Sequence, residues 1–158
     1  MMNKLAQIIA YYCLNYPYPQ ELSDARLTKM VYLSDWFASL SLGHQLTEVA
    51  WYFNHYGPYV DDISATAQAY SNLFKISFDQ NYYGNTKKTI QYVGDSSLIN
   101  IDINSKIILD TVMEKTKHMY FNDFISFVYS TYPITKNDRY AYLNLPELAR
   151  EYNKILLT

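Results

Sequence analysis

The sequence predicts a mainly α fold of the α+β kind: a compact bundle of about six helices around a central apolar helix, with a small β-hairpin. Three observations predict it. Apolar residues recur at helical spacing in several separate stretches. One of these, RLTKMVYLSDWFASLSL, is apolar around well over half of its circumference, so it must be packed on several sides. Period-two alternation flanks Gly84-Asn85 on both sides.

Leu5, Ile8, Ile9, Tyr12 and Tyr16 line one face of a first helix over about 3–15, which Pro17 and Pro19 end. Ser23 or Asp24 caps the central helix, and Gly43 stops it. Leu27, Met30, Val31, Leu33, Trp36, Phe37, Ala38 and Leu40 make its apolar surface, and Thr28, Tyr32, Asp35 and Ser39 form a narrow polar sector. Leu46–Tyr56 is either a short helix or an extended piece. Pro58 suits the first turn of the next helix, where Asp61 and Asp62 offer negative charge to unpaired backbone amides. That helix runs through ISATAQAYSNLF. Ile76 and Phe78 alternate against Ile90 and Tyr92 in the hairpin, with Lys87 and Lys88 as a solubilising edge near its tip. Asn104 or Asp102 starts a helix with Ile108, Leu109, Val112 and Met113 inward, ending near His118. Phe121, Phe124, Ile125, Val128, Tyr129 and Tyr132 continue as another, closed by Pro133. The last helix has Pro146 at its first position and runs to about Leu156.

With 158 residues, 49% of them hydrophobic, the chain suits one domain spanning 1–158. A chain of this length buries roughly 70% of its unfolded surface without disulfides or metals. The formal charge of −2 lacks the excess that holds a phosphate backbone, so direct nucleic-acid binding is disfavoured. Cys13 is the single cysteine, which excludes an internal disulfide and suits a reducing cytoplasm. The N-terminal stretch reads as a helix rather than a signal, and no run approaches the ~20 apolar residues of a membrane span.

Catalytic motifs are absent from the text. His44, His55 and His118 have no metal-motif spacing, so no metal or other cofactor is expected. Cys13 lies beside the apolar stripe of the first helix as a small core residue. GxSxG and phosphate-cradling glycine loops are missing. The enzyme alternative rests on His55, Asp61 and Asp62 as an acid/base cluster beside a helix N-terminus. That placement is equally what a helix start requires.

The most informative stretch is WYFNHYGPYV, Trp51–Val60, an aromatic run broken by Tyr-Gly-Pro. Trp51 and Phe53 are expected to face the core, with Gly57-Pro58 turning the chain. Asn54, His55, Tyr56 and Tyr59 are expected to face outward, together with Tyr82 and Tyr83 of the hairpin. The chain holds 18 tyrosines, and exposed aromatic anchors contribute ~2 kcal/mol or more at interface hot spots. These residues therefore form the candidate partner-binding set, and no catalytic residue is assigned.

Three blocks resemble the Panacea antitoxin domain, also called SocA-like. LTKMVYLSDWFASLSLG is similar to the family's Lys-hydrophobic-Tyr-Leu-x-Asp-Trp block through Lys29, Tyr32, Leu33, Asp35 and Trp36. WYFNHYGPYV resembles its aromatic stretch through Trp51, Tyr56, Gly57, Pro58 and Val60. FISFVYSTYPITKNDRYAYLNLPELAREY resembles a helix ending in a proline, here Pro133, then a polar link and a last helix. Members often carry a histidine shortly before that proline, where this chain has Tyr129 and Tyr132 instead. The resemblance implies a single helical domain of bacterial or phage origin that neutralises a cognate toxin by direct contact. Some relatives instead act as adaptors that hand the toxin to a protease.

Overall fold

The computed structural model describes residues 1–80, 84 and 86–158. Its elements run α1 (Lys4–Asn15), α2 (Asp24–Leu42), β1 (Tyr52–Asn54), β2 (Gly57–Tyr59), α3 (Asp62–Ala69), β3 (Phe74–Gln80), β4 (Thr86–Tyr92), α4 (Ile103–Thr116), α5 (Phe121–Tyr129), α6 (Tyr132–Lys136) and α7 (Leu145–Leu157). The fold is mainly helical, with two small antiparallel hairpins, β1–β2 and β3–β4.

Short polar side chains set the helix starts. Asn3, Ser23, Asp102 and Asn144 accept from the backbone N–H groups of Ala6, Arg26, Ser105 and Glu147, each satisfying an amide that the first helical turn leaves unpaired. Gly43 adopts φ 82° and ends α2, a conformation that a Cβ would oppose. Around α2 pack α1, α3, α4, α5 and α7, with β2 and β4 closing further sides. Leu27, Met30, Val31, Leu33 and Trp36 of α2 all lie in the core with Ile8, Ile9 and Tyr12 of α1. The central position expected for this helix is therefore correct. Arg26, also buried, donates through Nη2 to the carbonyls of Thr116 (2.8 Å) and Met119 (3.2 Å) at the C-terminal end of α4. Its guanidinium lies over the Phe124 ring at 4.4 Å. The positive charge thus meets the negative end of a helix dipole and an aromatic face.

The narrow polar sector of α2, Thr28, Tyr32, Asp35 and Ser39, is buried along with its apolar surface, because residues of the following segment and of the α5–α6 joint cover it. Several local expectations are corrected. Residues 46–51 are irregular and lead into β1, so the ambiguous segment is extended. Pro58 stands in β2 opposite Phe53, not in a helix. Phe53 directs its own N–H and C=O to another neighbour, Ala141 and Tyr140, so position 58 is asked for no donor and tolerates proline. Helix α3 ends at Ala69 rather than Phe74, since a turn at Tyr70–Leu73 delivers Phe74 into β3. Pro133 does not close a helix: α5 stops at Tyr129, and Pro133 occupies the first turn of the separate α6, where its missing N–H costs nothing. That extra helix raises the number among the described residues from about six to seven. Asp61 and Asp62 stand at the start of α3 as expected.

Candidate functional site: an aromatic sheet latched to the central helix

The site begins with one buried carboxylate. Asp35 of α2 accepts through Oδ1 from the backbone N–H groups of Leu46 (2.9 Å) and Thr47 (3.0 Å). Oδ2 accepts from Trp51 Nε1 (2.8 Å), Thr47 Oγ1 (2.5 Å) and Gln45 Nε2 (3.4 Å). Burial pushes its pKa up to about 6, against the opposing pull of the hydrogen bonds from Thr47, Trp51 and Leu46. One side chain thus fastens the whole 45–51 segment to the central helix. Tyr32, one turn earlier, packs edge-on against the Trp51 indole with ring centres 5.6 Å apart. Its hydroxyl shares a 2.9 Å hydrogen bond with Thr131 between α5 and α6. Trp36 is buried and meets the ring of Tyr152 on α7 at 6.1 Å. Lys29, only 3% exposed, makes no hydrogen bond or ion pair among the described residues, and burial lowers its pKa while Asp24 raises it.

From Trp51 the chain enters β1, which carries the aromatic surface. β1 and β2 pair Tyr52 with Tyr59, Phe53 with Pro58 and Asn54 with Gly57, leaving His55-Tyr56 as a two-residue turn. Gly57 is at φ 97°, and a Cβ there would stand 3.2 Å from Cε2 of Tyr129. The glycine is thus required twice, by backbone conformation and by the tyrosine ring against it. On its other edge β1 gains a short third strand. Tyr140 N–H donates to the Phe53 carbonyl (2.6 Å), Phe53 N–H to Ala141 (2.9 Å), and Leu143 N–H to Trp51 (2.9 Å). Tyr142 consequently faces Tyr52, with ring centres 4.9 Å apart.

Alternation sends Phe53 and Pro58 into the core and aligns Tyr59, Tyr52 and Tyr142 in one row across the outer face. Tyr56 is 74% exposed, Tyr142 74% and Tyr140 64%. Arg139 Nε donates to the His55 carbonyl at 3.3 Å, and its guanidinium lies 5.5 Å from the Phe53 ring centre and 5.9 Å from that of Tyr129. The result is a tyrosine-rich outer face on a backbone held from beneath by Trp51, Phe53 and Tyr129.

The structure separates the sequence-predicted residues into groups. His55 and Tyr56 are exposed at the turn, their rings edge-to-face at 4.7 Å. Asn54 is half-buried, and its side chain accepts from the His55 N–H at 2.6 Å, so it shapes the turn. Tyr59 is half-buried, its hydroxyl donating to Asp61 at 2.9 Å, and burial together with that carboxylate raises its pKa to about 12. Tyr82 and Tyr83 lie outside the described residues. Pro133 is buried at the start of α6.

Sequence reasoning missed Tyr52, Arg139, Tyr140 and Tyr142 as surface residues. The alternation in Tyr140-Ala141-Tyr142-Leu143 was the available signal, four residues long and without a visible strand partner.

The enzyme alternative finds no assembled cluster. Asp61 meets Tyr59 and borders, with Asp62, a shallow cleft lined by Asn3, Thr66 and Tyr70, of which His55 is no part. A larger cleft of about 700 Å³ lies elsewhere, between Asp24, Arg26, Lys87, Lys88, Tyr120 and Phe121. Its cations are already engaged: Arg26 with the α4 carbonyls, Lys87 with Gln20 O and Lys88 with Ser64 Oγ. Cys13 is buried with Sγ 3.5 Å from the Ile90 carbonyl, and burial pushes its thiol up to about 12. Among the described residues no three His, Cys, Asp or Glu side chains are grouped to hold a metal. No helix among them is long and apolar enough to cross a membrane.

Neither the curated proteins nor the solved structures contain a match to this chain. A family model does match, over residues 27–133. That span takes in the Asp35–Trp51 latch, the Tyr-Gly-Pro turn and the Tyr129 ring packed on it, and stops before the 140–143 strand and α7. The matching description is "Antitoxin SocA-like, Panacea domain", and since it covers more than half of the chain, the protein belongs to the Panacea family of SocA-like antitoxins.

Proposed function

We propose that this protein neutralises a cognate toxin by direct protein contact, and that the contact is made by the aromatic sheet. The observation that carries the proposal is the concentration of exposed tyrosine on a single small sheet, Tyr56, Tyr140 and Tyr142, beside half-buried Tyr52 and Tyr59. Such side chains offer a large apolar body, a polar tip and little rotamer freedom to lose on binding. Their backbone is preorganised through Asp35 and Trp51, so little ordering has to accompany association. His55 and Tyr56 form the tip of the contact surface, and Asn54 and Tyr59 hold its shape.

Co-expression with the product of the adjacent gene tests this reading. The neighbour should arrest growth alone, and this protein should restore growth. Alanine at His55 or Tyr56 should weaken rescue without lowering the thermal midpoint, because neither side chain contributes to the core. A harmless neighbour, or rescue unaffected by both substitutions, would count against the proposal.

A further inference from the structure

We infer that the partner adds an extended strand to the outer edge of the third strand, pairing with Tyr142 through both of its backbone groups. This deepens the proposed toxin-binding role and rests on it. In the 140–143 segment the N–H of Tyr140, the carbonyl of Ala141 and the N–H of Leu143 are turned toward β1. Tyr142 sits opposite Tyr52 at a position where the two residues exchange no hydrogen bonds with each other. Its N–H and C=O therefore point away from β1, and among the described residues neither has a partner.

The edge is bounded on both sides. Tyr140 adopts φ 69°, a left-handed conformation that a tyrosine rarely takes, and Asn144 begins α7. What remains open is one closely spaced donor–acceptor pair, flanked by the exposed rings of Tyr140 and Tyr142. An incoming antiparallel residue would exchange two hydrogen bonds with Tyr142. Its side chain would fall on the same face as Tyr142 and extend the row Tyr59, Tyr52, Tyr142 by one position. The chemistry of that row selects an aromatic or β-branched side chain there. Proline is excluded at the same position, since its nitrogen cannot donate to the Tyr142 carbonyl.

Amide hydrogen exchange of this protein, alone and with the purified product of the adjacent gene, reads the pairing directly. The Tyr142 amide should exchange rapidly alone and at least about 100-fold more slowly in the complex, as a newly paired strand amide does. Binding with the Tyr142 amide unprotected overturns the edge assignment and leaves the toxin-binding proposal standing, whereas absence of any binding overturns that proposal first. Two variants give a second readout. Tyr142→Val keeps the N–H, and Tyr142→Pro removes it at a position where the native ladder does not use it. Proline should bind about 10-fold or more weakly than valine, while equal affinities for two folded variants would refute the pairing. Self-association of the protein alone that protects the same amide would show that a second copy occupies the edge, and would likewise overturn the inference.

Discussion

Replacing Asp35 by alanine should destabilise the protein far more than a single lost hydrogen bond would. The carboxylate accepts from three groups that can only donate: the Leu46 and Thr47 backbone amides and the Trp51 indole N–H. Thr47 Oγ1 can rotate to another acceptor and Gln45 Nε2 already reaches the carbonyls of Thr47 and Val49, so those two donors survive the change. Each orphaned buried donor costs about 1–3 kcal/mol, which puts the total near 4 kcal/mol if water fills part of the space. That is a large share of the roughly 5–15 kcal/mol available to a domain, and corresponds to about a thousandfold shift in the folding equilibrium. Urea unfolding monitored by far-UV circular dichroism measures it, with the slope against denaturant showing whether the denatured state has also changed. Trp51→Phe is the companion, since it removes a donor and leaves the carboxylate with its other partners. It should cost only about 1.5–2 kcal/mol. A loss below about 1 kcal/mol for Asp35→Ala would mean that the 45–51 segment is held by packing alone, and the latch would have to be abandoned.

Two further outcomes follow from the same neighbourhood. The Asp35 pKa is raised in the folded state from an ordinary 3.8 to about 6, so the folded protein binds this proton more tightly than the unfolded chain. Its contribution is therefore fully present below about pH 4 and is lost as pH rises through about 6, an effect on the order of 3 kcal/mol. Comparing wild type with Asp35→Ala in urea at successive pH values should show their stability difference shrinking over that window and constant above it; a difference that grows with pH would contradict the sign. Gly57→Ala should cost about 2 kcal/mol or more, because φ 97° opposes a Cβ and Tyr129 stands 3.2 Å from where it would lie. Made in a Tyr129→Ala background, the same substitution should cost less, recovering the overlap but not the backbone strain, and equal costs in both backgrounds would exclude the Tyr129 contact as a cause.

Signals confined to one element were legible before the structure, and signals that depend on a distant partner were not. The caps at Ser23 and Asp102, the helix-starting Pro146 and the stop at Gly43 act over three or four residues, so α2, α4 and α7 begin or end close to where their residues say. Pro58 and Pro133 were misplaced for one shared reason. Proline reports only that an N–H is not needed, and that condition is met in the first turn of a helix, past the end of one, and at a strand position whose partner bonds elsewhere. Choosing among these required knowing that Phe53 pairs with 140–141, more than eighty residues away in sequence. What buries the polar sector of α2 was equally out of reach of local signals. Thr28, Tyr32, Asp35 and Ser39 say only that one sector is polar, and it is residues 45–51 and Thr131, distant in sequence, that cover it.

This pattern separates the scaffold from the exposed aromatic row. Nearly every residue that carries the family resemblance is buried, including Lys29, Tyr32, Asp35, Trp36, Trp51, Gly57 and Pro58. Two of those blocks are joined physically by the Asp35–Trp51 hydrogen bond, and Tyr129 fills the space against Gly57 from the far end of the matched region. Tyr140 and Tyr142, the exposed tyrosines that join Tyr56 on this sheet, stand outside these motif positions, on a strand that owes its place to hydrogen bonds with Trp51 and Phe53. A fold so arranged can keep its interior while the chemistry of its outer row is altered one side chain at a time, because the row's geometry is set by the backbone and not by the rings. On the proposed toxin contact, changing Tyr140 or Tyr142 should therefore alter which partner fits without disturbing the latch, whereas a change at Asp35 or Trp51 should affect every partner alike.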